Sequence, residues 1–298
     1  MWVACGILSA LFLGCYDIFR KKALLSNSAL AVLWLSILCS TVIMIAMLML
    51  SQCGVITSDN ALLHVPTADI KTHIKLIIKA VIVLTSWIFG YHAMQHLPIS
   101  LVSPMNATRP AWTLIGALVI FHEAINTWQW VGIMLTFGAL AYIQYGDIKQ
   151  HNQYLTIKNN IWLWCLVAAI ITGALSGLYD KYLLGHINHN TVQVWYTIYQ
   201  CILMTIIMLI YHTKTQHTIT WQWGIAFISL FLILSDYVYF YALTIPGSLI
   251  SVLSTTRRMG FIVPFIYGIT ILHEPINRHK LLATLAIATS MIILLLGS

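Results

Sequence analysis

Apolar runs of about 20 residues, each long enough to cross roughly 30 Å of hydrocarbon as a helix, follow one another along almost the whole chain. Only 8% of the 298 residues are charged and 60% are hydrophobic, whereas a soluble domain carries about 25% charge. Such a chain is expected to be an all-α integral membrane protein that crosses the bilayer many times.

Charges, Pro, Asn and Gly bound about ten candidate spans: 2–19, 29–51, 74–95, 98–121, 127–145, 160–184, 192–211, 221–243, 247–272 and 279–297. Two polar connections stand out, 52–73 and 146–159, and the second divides the chain into halves of five spans. The halves are taken as residues 1–148 and 157–298.

Three motifs occur once in each half and in the same order. Gly14, Tyr16 and Asp17 return as Gly177, Tyr179 and Asp180. Pro98 to Arg109 returns as Pro246 to Arg257, and His122, Glu123, Ile125 and Asn126 return as His273, Glu274, Ile276 and Asn277. The offset shrinks after the first motif, as the long 52–73 connection in the first half alone would make it do. Ordered recurrence of this kind signals an internal repeat. An odd number of spans per half reverses the chain between them, so the expected fold is two inverted five-helix repeats. Two such halves can exchange roles around one midplane cavity, which is the geometry of alternating access.

On these motifs the chain resembles the EamA-type transporters of the drug/metabolite transporter superfamily. The likeness covers nearly the full length and includes a proline-led fourth and ninth span, each closed by a glutamate, Glu123 and Glu274. Both glutamates follow His where the family commonly has Gly. The resemblance implies a ten-helix inverted-repeat carrier of small metabolites, often an exporter, and leaves the cargo open.

Arginines deep in apolar segments are costly, about 2.5 to 3.5 kcal/mol on insertion scales, and so tend to line a polar interior or a substrate path. Arg109 is expected near the middle of span four, and Arg257 and Arg258 near the middle of span nine. Their planar forks suit a carboxylate or phosphate; the competing role is neutralisation by Asp17, Asp180 or Asp236 to hold helices together. Asp17 and Asp180 come late in their helices and are expected nearer an interface than the arginines. Asp236 has no acidic counterpart near Ile88, which makes it the better candidate for proton coupling. Among the deep aromatics Trp87, Tyr91, Trp112, Trp195, Tyr199, Tyr237, Tyr239 and Tyr241, the strongest candidates to meet cargo beside the arginines are Tyr91, Trp112 and Tyr239.

Other chemistries find little footing. HExIN lacks the second histidine of a zinc protease, since Asn126 and Asn277 stand in its place. It is better taken as a turn, with Glu opening the exit, Asn capping the next helix and His at the interface. Six scattered cysteines without CxxC spacing fit packing. No Walker motif appears, so ATP use is not expected, and no metal or other cofactor is implied. The formal charge of +7 is dispersed over short loops, with Arg20 to Lys22 the longest run, and does not point to nucleic acid. The run that begins at Trp2 lacks a basic leader and is taken as a retained first helix.

The resulting expectation is a secondary-active carrier, not an enzyme, for small organic metabolites such as amino acids or other anionic or zwitterionic compounds, set in a bacterial inner (cell) membrane with several passes. Its partners are the cargo, the lipid bilayer and a coupling proton, and its oligomeric state is open. The alternatives are a lipid-linked phosphate flippase and a non-catalytic structural or assembly protein. On orientation two arguments disagree: basic loop residues place both termini outside, while the resemblance places them in the cytoplasm.

Overall fold

The computed structural model describes residues 1–298 except 24–26, 57–62, 97–105, 107, 152–160, 213–219, 264–265, 268–277 and 298. The described residues form ten α-helices and a 3-10 turn, with no strand. We number the helices α1 (Trp2–Ala23), α2 (Ala29–Gln52), α3 (Ile70–His96), α4 (Arg109–Ile120), α5 (Thr127–His151), α6 (Ile161–Leu184), α7 (His189–His212), α8 (Trp223–Thr244), α9 (Ile250–Arg258) and α10 (Arg278–Leu296); the 3-10 turn is Met259–Phe261.

Among the described residues, six helices are long and apolar enough to cross a membrane: α1, α2, α3, α6, α7 and α8. They coincide with six of the ten expected spans. The described parts of α4 and α9 have 12 and 9 residues, too short to cross alone. The protein is a multi-pass integral membrane protein. Its outer surface explains itself on that basis, since Val42, Trp164, Leu209 and Ile210 are exposed on long helices where only lipid offers an apolar partner.

Helix ends follow local chemistry. Ser28 caps α2 by accepting from the N–H of Ala31 at 3.4 Å. Asp69 precedes α3, and Thr72 donates to its carboxylate from the hydroxyl and from the N–H (3.0 Å), which holds that acid below the usual carboxylate range. Asn126 accepts from the N–H of Gln129 at 2.8 Å while Gln129 accepts from that of Asn126 at 3.0 Å, so α5 begins with a reciprocal cap and Asn126 has the role expected of it. His122, just before, adopts a left-handed φ of 49°.

Packing gathers the helices into two three-helix groups. In one, α1 lies along α8 and α9; in the other, α6 lies along α3 and α4. Helix pairs α2–α7 and α5–α10 complete the molecule, tied by Trp34 donating to Thr205 (3.1 Å) and Thr136 to Ser290 (2.9 Å). Close approach depends on small residues, as it must where lipid supplies no hydrophobic drive between helices. Gly14 of α1 lies against Gly260 and Val263, and Gly260 against the Ala10 carbonyl; a methyl at either glycine collides with main chain.

Directions can be followed along these contacts. From Gly6 beside Leu253 to Lys22 over Tyr267 (5.0 Å), α1 and α9 run the same way. So do α6 and α4, from Gly173 beside Arg109 to Lys181 over Phe121 (5.5 Å). Glu123 after α4 meets Ile250 at the start of α9, while Arg109 at the start of α4 and Arg258 at the end of α9 line one cavity, so α4 and α9 run antiparallel, and with them the Gly-x-Tyr-Asp motifs of α6 and α1.

Arg257 and Arg258 form the last turn of α9, after which the chain tightens into the 3-10 turn and is helical again at 262–263 and 266–267. A cation is well placed there, because the C-terminal end of a helix carries partial negative charge.

Candidate functional site

A cavity of about 390 Å³ opens between the two groups. It is lined from α1 by Asp17 and Arg20, from α3 by Lys79, Val83, Trp87 and Gly90, from α4 by Arg109 and Thr113, from α6 by Gly173, Ser176 and Asp180, from α8 by Leu232, Asp236 and Tyr239, and from α9 by Ser254, Arg257 and Arg258. Every arginine and aspartate singled out in the sequence therefore meets in one place. Asp17 and Asp180, expected nearer an interface than the arginines, line the same cavity with them.

The charges pair as follows. Asp236 accepts from Arg257 Nη2 at 2.7 Å, Ser235 accepts from the same nitrogen at 3.3 Å, and the guanidinium lies 4.3 Å from the Tyr239 ring centroid. Asp180 pairs with Lys79, whose ammonium also faces the rings of Phe240 (4.3 Å) and Tyr196 (4.6 Å). Asp17 lies 3.9 Å from Arg20. All three acids are thus engaged, and two arginines remain. Arg109 reaches the Ala169 carbonyl from Nη2 at 3.4 Å, while its buried Nε has no partner among the described residues. Arg258 has no carboxylate within 4.0 Å among them.

Lys79 went unnoticed in the sequence, where it counted only as a basic residue near a helix start. Its relative exposure is 1%, the signature of a charge that belongs inside. Its i+4 neighbour Val83 and i+8 neighbour Trp87 line the same cavity, a helical stripe that was there to be read. Lys79 and Lys181 lie within α3 and α6, and Arg20 to Lys22 within α1, so none of them is a loop charge that could set orientation.

The aromatic expectations divide. Tyr239 is buried beneath Arg257, and Trp87 lines the cavity. Trp112 does not: it is 48% exposed, on the outer face of α4, one helical phase away from Thr113 and Arg109. The side chain of Tyr91 lies outside the described residues. Trp195 and Tyr199 flank His73, while Tyr237 and Tyr241 flank His189.

A second polar cluster joins the two halves of the chain. Glu123, after α4, accepts from the N–H groups of Ile250 (2.7 Å) and Ser251 (3.2 Å), from the Ser251 hydroxyl and from Lys181 Nζ (2.6 Å). Lys181 also donates to the Ser248 carbonyl at 2.8 Å. A turn residue expected to open an exit thus caps α9, the helix that carries Arg257 and Arg258. Its repeat partner Glu274 lies outside the described residues, as do His273 and Asn277. Among the described residues no group of three metal-ligating side chains converges.

Comparison with known proteins separates fold from family. No curated protein matches the sequence. Among solved structures, 28 chains are similar; one crystal structure superposes with a TM-score of 0.75, spanning 99% of this chain and 96% of its own, at 9% identity. That likeness speaks for the helical architecture alone. Residues 1–145, which carry Asp17, Lys79, Arg109 and Glu123, match the model of the EamA-like transporter family.

Proposed function

We propose that this protein is a secondary-active carrier, working as an exporter in a bacterial cell membrane, that moves a small organic metabolite bearing an anionic group by alternating access. The observation that carries the reading is the cavity itself: five cationic side chains and three acids line it, drawn from both halves of the chain. Charge buried between helices, at a site shared by two oppositely directed helix groups, is what a midplane transport site requires. The family match over residues 1–145 supports transport over catalysis. The antiparallel course of α1 and α6 supports two inverted halves, 1–148 and 157–298, and the tightening of the helix into a 3-10 turn after Arg258 supports a rocking element. Protons are the coupling ion we favour, with Asp236 the coupling group, because it stands in only one half and already accepts a hydrogen bond from a cargo candidate, Arg257.

The test is a metabolite-wide uptake screen in proteoliposomes with and without a pH gradient. Cargo should accumulate in response to the gradient. Arg109→Gln and Arg257→Gln should abolish uptake at unchanged membrane abundance, and Asp236→Asn should flatten its pH profile. Normal uptake in both arginine variants removes the site.

A further inference from the structure

The geometry points to a narrower cargo class: Arg109 and Arg258 form a two-cation clamp for a small dianion that bridges the two helix groups. This rests on the carrier reading above and restricts it, setting aside zwitterions such as amino acids.

The inference starts from the balance of charge. Asp236, Asp180 and Asp17 each face a cation of their own, Arg257, Lys79 and Arg20. A cargo ammonium would have to take a carboxylate away from one of these partners. An incoming anion meets the opposite situation, because Arg109 and Arg258 have no carboxylate within 4.0 Å among the described residues, Arg258 sharing Asp17 with Arg20 only at longer range. They come from different helices, Arg109 from α4, which packs on α6, and Arg258 from α9, which packs on α1, and α4 and α9 also pack on each other.

The repeat register sharpens the point. Val83 and Leu232, Trp87 and Asp236, and Gly90 and Tyr239 are related by one common sequence offset, and all six line the cavity. In the second half Arg257 therefore has Asp236 beside it. In the first half the corresponding place is held by Trp87, and Arg109 is left with a carbonyl and a buried, unpartnered Nε. In the repeated decapeptides Arg257 matches Arg109, so the counterpart of Arg258 is Pro110, and this second arginine of the clamp also has no internal copy.

Each guanidinium presents parallel N–H donors that fit a carboxylate or phosphate edge. Val83, Trp87 and Leu232 offer apolar wall for a short carbon skeleton, and 390 Å³ lies near the lower end of ligand pockets. Two like charges held across one cavity also oppose closure until an anion neutralises them, which links occupancy to movement.

The experiment compares four ligands on the detergent-solubilised full chain by calorimetry: succinate and glycerol 3-phosphate as dianions, butyrate as the monoanion and 4-aminobutyrate as the zwitterion of matched length. At least one dianion should bind about tenfold or more tightly than butyrate and 4-aminobutyrate, the scale set by one charge-assisted contact. Which dianion binds distinguishes a dicarboxylate from a phosphomonoester. Arg109→Gln and Arg258→Gln should each erase the dianion preference, and Arg109→Lys should retain part of it; thermal unfolding identifies any variant that is merely misfolded. Equal binding of 4-aminobutyrate, no saturable binding of either dianion, or an intact preference in both folded Gln variants overturns the clamp. Dianion binding without uptake into liposomes defeats the carrier reading and leaves the clamp standing, whereas uptake of a zwitterion without dianion binding does the reverse.

Discussion

Lys79 and Asp180 matter less for their mutual attraction than for what either becomes alone. Removing one partner of a buried pair strands the other charge, at a cost of about 3 to 5 kcal/mol, whereas replacing both with apolar groups is often neutral. Lys79→Met should lower the unfolding temperature sharply in detergent, and adding Asp180→Leu should restore most of it; two additive losses would show the groups to be uncoupled. Gly173 permits a different check. A methyl there meets the Arg109 guanidinium, the mobile end of a long side chain, so Gly173→Ala should weaken anion binding with little change in unfolding temperature. Equal binding would mean that Arg109 does not touch the ligand. At this scale the sequence was legible where a charge interrupted a long apolar run, as at Arg109, Asp236 and Arg257. Lys79 escaped because it lies near the polar start of α3, and Trp112 misled because an aromatic in a span does not by itself disclose its helical phase, which here turns it toward lipid.

The short helix α9 links the two polar clusters. Its first N–H groups lack partners within the helix, and Glu123 supplies them from the other half of the chain, while its last turn holds Arg257 and Arg258 in the cavity. Loss of a capping acceptor costs about 0.5 to 2 kcal/mol. Glu123→Ala should therefore speed hydrogen exchange of the amides of Ile250 to Leu253 and leave α2 and α7 unchanged; protection identical to the parent would show the cap to be passive. Sequence periodicity could not disclose this element. Met259, Gly260 and Phe261 continue the apolar pattern through the break, and only Gly260, packed on the main chain of α1, marks the place where a regular helix gives way. The cap at Asn126 was legible because Asn-x-x-Gln acts locally. The partner of Glu123 was not, because Ile250 is remote in the chain and belongs to the other half.

Over the whole molecule, the order of the motifs made the two halves legible before any coordinate, but not their register. The offset between the arginine decapeptides sets Ile88 opposite Asp236, whereas the cavity lining pairs Asp236 with Trp87, the residue before it. That single-position slip exchanges a residue absent from the cavity lining for one that belongs to it. Alternating access further requires that contacts closing one end of the cavity open in each cycle. The joint of Glu123 and Lys181 with the start of α9 is such a contact, since it ties the end of α4 to the opposite helix group. In a background freed of the six native cysteines, Glu123→Cys with Ser251→Cys puts one thiol on each side of the joint, at the two positions whose carboxylate and hydroxyl now share a hydrogen bond. Oxidation should stop transport while ligand binding persists, and reduction should restore it. The reduced double variant serves as the control, because it has already lost the Glu123 cap. Full cross-linking with undiminished uptake would show that this joint stays closed throughout, and the moving boundary would then have to lie between α2 and α7 or between α5 and α10.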